Sequence, residues 1–71
     1  MERTPVDSSS IASVGHDPAT DTLHVEFKSS SKVYAYPGVS AEDHQALMNA
    51  PSIGAHFGKH IRPHYSGRLQ N

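Results

Sequence analysis

The stretch TLHVEFKSSSKVYAYPGVS, residues 22–40, decides how this chain folds. Its first seven residues alternate: Leu23, Val25 and Phe27 fall on one side, and Thr22, His24, Glu26 and Lys28 on the other. Alternation at a period of two marks a half-buried strand. Ser29–Ser31 supply a turn, and KVYAYP (32–37) forms a further strand, stopped by Pro37, which has no N–H to give to a ladder. Successive side chains of a strand point to opposite faces. Tyr34 and Tyr36 therefore share one face, and Val33 and Ala35 the other. Three uses are open for the two rings: filling a core, stacking a ligand on an exposed sheet, or meeting a second subunit.

Upstream, SIASVGHD (10–17) reads as the first strand, with Ile11 and Val14 as its apolar anchors. Their odd spacing of three predicts a bulge near its start. DPATD (17–21) is dense in turn formers and reverses the chain. Three strands joined by short turns make an antiparallel meander.

Downstream, the period changes from sheet to helix. Ser40 and Asp43 resemble a capping box, and Glu42 and Asp43 suit the positive end of a helix dipole. Leu47 and Met48 supply the buried stripe, and Pro51 ends the helix at Ala50. SIGAHFGKHIRP (52–63) predicts a second helix with Ser52 as its cap and Pro63 as its stop. Ile53, Phe57 and Ile61, four apart, form one ridge. Gly54 and Gly58 each cost about 1 kcal/mol relative to alanine, which implies close packing at the glycines or a helix held by tertiary contacts. The expectation is an α+β domain over residues 9–66: a three-stranded antiparallel meander followed by two helices packed on one face, with flexible tails at 1–8 and 67–71.

A chain of 71 residues is one domain, and a domain of this size buries only about 60% of the surface its unfolded chain exposes. Apolar residues make up 35% of it, so the core is thin. Cysteine is absent, which excludes disulfides, thiolate zinc sites and cysteine chemistry. Small domains without such staples often rely on a partner subunit, and the meander has edges open to pairing. A homodimer with a two-fold axis is expected. No apolar run approaches the roughly 18 residues of a membrane span, and MERTPVDSSS lacks a signal-peptide core, so a soluble cytoplasmic protein without a membrane partner is expected.

Formal net charge is −1, but its distribution is uneven. All seven acidic residues lie at or before Asp43, whereas residues 44–71 carry Lys59, Arg62, Arg68, His44, His56, His60 and His64 and no acid. Such asymmetry points to an anionic partner. On the second helix Lys59 and Arg62 lie three apart, with His56 and His60 beside them, opposite the apolar ridge. The candidate nucleic-acid contacts are thus Lys59, Arg62, Arg68, His56 and His60 for phosphate, with Tyr34 and Tyr36 for bases. Base–aromatic stacking contributes about 1–3 kcal/mol per base whatever the sequence. A two-fold dimer would double the cations of this half. Histidine titrates near pH 6.5, so affinity for an anionic polymer should rise as pH falls from about 8 to about 6. His56 and His60 also have the i, i+4 spacing of helical zinc sites, but no glutamate lies between them and only His64 or His44 offers a third ligand. No metal, cofactor, catalytic residue or small-molecule substrate is expected. The alternative to nucleic acid is a non-catalytic protein-interaction domain that docks through its aromatic sheet face.

The ordered set Ser9-Ser10-Ile11, Val14-Gly15, Leu23-x-Val25-x-Phe27, Tyr34-x-Tyr36 and Ala50-x-Ser52-x-Gly54-x-x-Phe57-x-x-x-Ile61-x-x-x-Tyr65 resembles the KTSC domain. That domain is named for its place at the C-terminus of some lysyl-tRNA synthetases, and it also occurs alone in small bacterial proteins. The resemblance covers roughly residues 8–66 and implies no established activity. It does imply a role in binding RNA, or nucleic acid more generally, through association with a synthetase. This chain departs from the pattern at His16, where an aromatic is common; at Ser30 and Ser31, where the turn often has glycine; and at Gly58, in place of a frequent asparagine.

Overall fold

The structure is a computed structural model and describes residues 3–70. In chain order the strands are β1 (Thr4–Pro5), β2 (Ile11–Asp17), β3 (Thr22–Phe27) and β4 (Val33–Pro37). Helix α1 (Ala41–Met48) and helix α2 (Ile53–His56) follow, the latter running on through a π-helical turn, Phe57–Ile61. Strand β5 (Arg68–Leu69) closes the chain. One antiparallel sheet carries the strands in sequence order, β1-β2-β3-β4-β5. The expected meander is β2-β3-β4, and the sheet has two strands more than the expected three. Both additions are only two residues long and come from the segments read as tails. Residues 1, 2 and 71 of those tails lie outside the described residues.

The register explains the pattern of burial. Ile11 pairs with Phe27 and Ser13 with Glu26, so Ala12 is the extra residue of a bulge. The bulge returns Ile11 and Val14 to the same face despite their spacing of three, as the sequence implies. Along the ladder, Val14, Val25 and Tyr34 form one row, and His16, Leu23 and Tyr36 the next. This face meets the helices. Phe57 packs edge-on against Phe27 and Tyr36, with centroids 5.6 and 5.2 Å apart. Leu47 and Ile61 complete the core, together with Val39. The opposite face bears the rows Ser13–Glu26–Val33 and Gly15–His24–Ala35–Arg68. There Arg3 Nε donates to Ser13 Oγ (3.1 Å), and Ser13 Oγ donates to Glu26 Oε1 (2.9 Å).

The caps form as the sequence implies. Ser40 Oγ accepts from the Asp43 amide and Ser52 Oγ from the Ala55 amide. Ser8 Oγ accepts from the amides of Ser10 and Ile11, which turns the chain into β2. That turn lies against α2: a Cβ on Gly54 would fall 2.8 Å from Ser10 Oγ and 3.2 Å from Ser8 Oγ. Gly54 is therefore a site of close packing, while a Cβ on Gly58 would meet nothing within 4 Å. Tyr65 packs back on the core and donates from its hydroxyl to Asp43 Oδ2 (2.9 Å), tying the segment after α2 to the first turn of α1.

The turn between β3 and β4 leaves Ser31 at φ +56°, in the left-handed region that favours glycine. Its amide donates to Phe27 O, so the side chain is not needed for the turn. Ser31→Gly should stabilise the domain by about 0.5–1 kcal/mol, because the relieved strain exceeds the entropy that glycine adds to the unfolded chain. A thermal melt checks this, with an expected rise of about 2–8 °C.

Candidate functional site

The site forms where the β3–β4 turn approaches the end of the π-helical turn. Phe27, Tyr34 and Tyr36 come from the inner face of β3 and β4, Ser29 and Ser30 from the turn, and Arg62 from the end of the helix. Together they line a cleft of about 330 Å³. The π turn contributes to this placement: the Arg62 amide donates to Phe57 O (2.9 Å), five residues back, while Phe57 and Ile61 stay buried. An extra residue in a helical turn of this kind re-aims the side chains after it. Phe27 and Tyr34 meet edge-to-face at 5.7 Å and 74°.

Tyr36 is only 5% exposed, which assigns it to the core. Its ring is roofed by backbone: a Cβ on Gly67 would fall 2.6 Å from it. Burial pushes the Tyr36 phenol above its ordinary pKa, and the Arg62 charge pulls against that shift, so the guanidinium acts on the hydroxyl across the cleft. Tyr34 is half-buried, and Arg62 is exposed.

Of the residues singled out from sequence, the structure brings Tyr34, Tyr36 and Arg62 together. Arg68 is not with them. It pairs with Ala35, and this register sets it on the opposite face of the sheet. Lys59 and His60 are exposed on the π turn, and His56 is half-buried, with its ring centroid 4.6 Å from that of His60. Among the described residues no three His, Cys, Asp or Glu side chains converge as a metal site, and no helix is long and apolar enough to cross a membrane. Sequence reasoning missed Phe27, Ser29 and Ser30 as cleft walls, because Phe27 reads as core and the serines as a turn. Lys28 and Lys32, exposed at either side of this turn, were also passed over.

A second cluster lies away from the cleft. His16 stacks on His44 of α1, with centroids 5.2 Å apart and planes 12° from parallel, and His16 Nε2 lies 2.7 Å from Val39 O. Burial, reinforced by the neighbouring His16, lowers the His44 pKa. His24 is also lowered, chiefly by burial; Asp17 opposes this and Arg3 adds to it. For both groups the folded state binds fewer protons than the unfolded chain near pH 6.5, so stability rises with pH in that window. These two groups therefore make the domain most stable above pH 6.5, with stability lost as pH falls from 6.5 toward their lowered values. Urea titrations between pH 7.5 and pH 5 check this, and His44→Gln should flatten the slope.

A small α+β domain with an aromatic cleft and a flanking guanidinium is the class that this geometry defines. The chain belongs to the KTSC domain family, whose model matches residues 7–65. It is similar to the crystal structure of a KTSC domain protein from Yersinia pestis, with a TM-score of 0.93 and 36% identity over 99% of this chain and 97% of that one. It is also 46% identical over 66 residues to an uncharacterized protein of Stutzerimonas stutzeri (strain A1501), covering 92% of each chain.

Proposed function

We propose that the domain binds nucleic acid, RNA or DNA, as a non-catalytic module. The observation that carries this reading is the convergence of Phe27, Tyr34 and Arg62 on one cleft: rings to stack a base beside a guanidinium to hold a phosphate. Lys59 and His60, exposed on the helical turn before Arg62, extend the basic surface, and no acidic side chain lines the cleft. Arg68, on the other face of the sheet, serves a separate stretch of backbone. We keep the homodimer as part of this proposal. The two-residue β1 and β5 pair with only two residues each of β2 and β4, and they are themselves the sheet edges that a second subunit would meet.

Fluorescence anisotropy with labelled oligonucleotides at increasing salt tests the reading. Affinity should fall linearly with salt on a log–log scale, with a slope of about −0.7 per phosphate neutralised on a single strand. Absence of binding to any RNA or DNA at low salt would sink it in favour of protein docking. Sedimentation at micromolar concentration tests the dimer separately.

A further inference from the structure

The cleft is too small for a duplex groove or a peptide helix. At about 330 Å³ it sits at the lower end of ligand pockets, which run from about 300 to 1,000 Å³. Its walls are three aromatic rings, two serines and one arginine, with no acidic side chain. This is a wall for a flat, apolar-faced group that carries an anion. In a duplex the faces of the bases are covered by their neighbours, so stacking on protein rings needs a base out of the stack. Ser30 Oγ already accepts from the Lys32 amide at 3.4 Å, which leaves its O–H to donate outward. Lys28 and Lys32, both exposed, flank that turn.

We infer that the cleft takes a single unpaired nucleotide, its base against Phe27 and Tyr34 and its phosphate held by Arg62 and the Ser30 hydroxyl. This rests on the nucleic-acid reading and sharpens it: the preferred target is a bulged, looped or terminal nucleotide rather than a continuous helix. Lys59 and His60 then contact the flanking backbone without sequence preference.

The test uses isotope-labelled protein and four probes: a nucleoside monophosphate, inorganic phosphate, a blunt-ended RNA hairpin closed by a non-nucleotide linker and carrying one bulged nucleotide, and the same linker-closed hairpin fully paired. The monophosphate should shift the amide signals of Phe27–Ser31, Tyr34 and Arg62. The bulged hairpin should bind at least about tenfold more tightly than the paired one, and the monophosphate should compete with it. Tyr34→Ala should weaken the bulged hairpin far more than the paired one, abolishing the preference for the bulge. Arg62→Gln, at an exposed position, should weaken both the monophosphate and the bulged hairpin and keeps the test open if Tyr34→Ala unfolds. Equal affinity for the two hairpins, with shifts confined to the Lys59 and Arg68 regions, overturns the inference and leaves the broader reading standing. Phosphate alone reproducing every shift of the monophosphate also overturns it, since the base would then play no part. No binding of any probe overturns both.

Discussion

Phe57→Ala should leave the domain largely unfolded at room temperature. Removing a buried phenylalanine costs about 3–5 kcal/mol, and the core of a domain this small rarely supplies more than about 3–5 kcal/mol in all. Phe57 is 3% exposed and is the point where helix and sheet meet, edge-on to both Phe27 and Tyr36. Its loss removes two aromatic contacts, each worth about 0.5–1.5 kcal/mol beyond area burial, and leaves a void that a thin core has few side chains to fill. Far-ultraviolet circular dichroism and a thermal melt measure the effect. The neighbouring Gly58→Ala is the matched control. Its new methyl meets open space and improves helix propensity by up to about 1 kcal/mol, so its melting temperature should rise. A near-native melt for Phe57→Ala would mean that the sheet holds together without its helical cover.

The second large effect concerns binding. Arg62→Glu should lower affinity for single-stranded oligonucleotides by about 10- to 100-fold, the equivalent of about 1.5–3 kcal/mol for a charged hydrogen bond. It should also reduce the salt slope by about one charge. Arg62 is exposed, so the melting temperature should hold. A ligand-free readout accompanies it. Arg62 draws the Tyr36 phenol down against the upward push of burial, so the substitution should move the Tyr36 titration to higher pH. Unchanged affinity with a shifted Tyr36 would place the guanidinium correctly and the ligand elsewhere.

The meander was legible because its residues alternate cleanly: Leu23, Val25 and Phe27 needed only a period of two to be set on one face. The helix caps were legible because Ser40 and Ser52 stand at defined offsets from the residues they bond. Strands β1 and β5 were not, since Thr4–Pro5 and Arg68–Leu69 are too short to show any period and exist only through their neighbours' hydrogen bonds. The site was half legible. Sequence placed Tyr34 and Tyr36 together but not their separate fates: Tyr36 is buried because Gly67 lies on its ring, a contact made only once β5 is paired. That pairing also removed Arg68 from the group, because a strand residue's face is set by its register and not by its charge. His16, which departs from the aromatic usual at its position, stacks on His44 across a sequence gap that no local pattern spans.

The strand order has a mechanical corollary. With β1 at one edge of the sheet and β5 at the other, a tension applied between residues 4 and 69 pulls across the strands rather than along them. Antiparallel hydrogen bonds lie perpendicular to the strands and would be loaded one pair at a time. The two-residue ladders at the rims would yield first, β5 carrying Gly67 off the Tyr36 ring as it went. Under such a pull the domain would peel from its rims, and the Tyr36 ring would lose its backbone cover before the meander itself gave way.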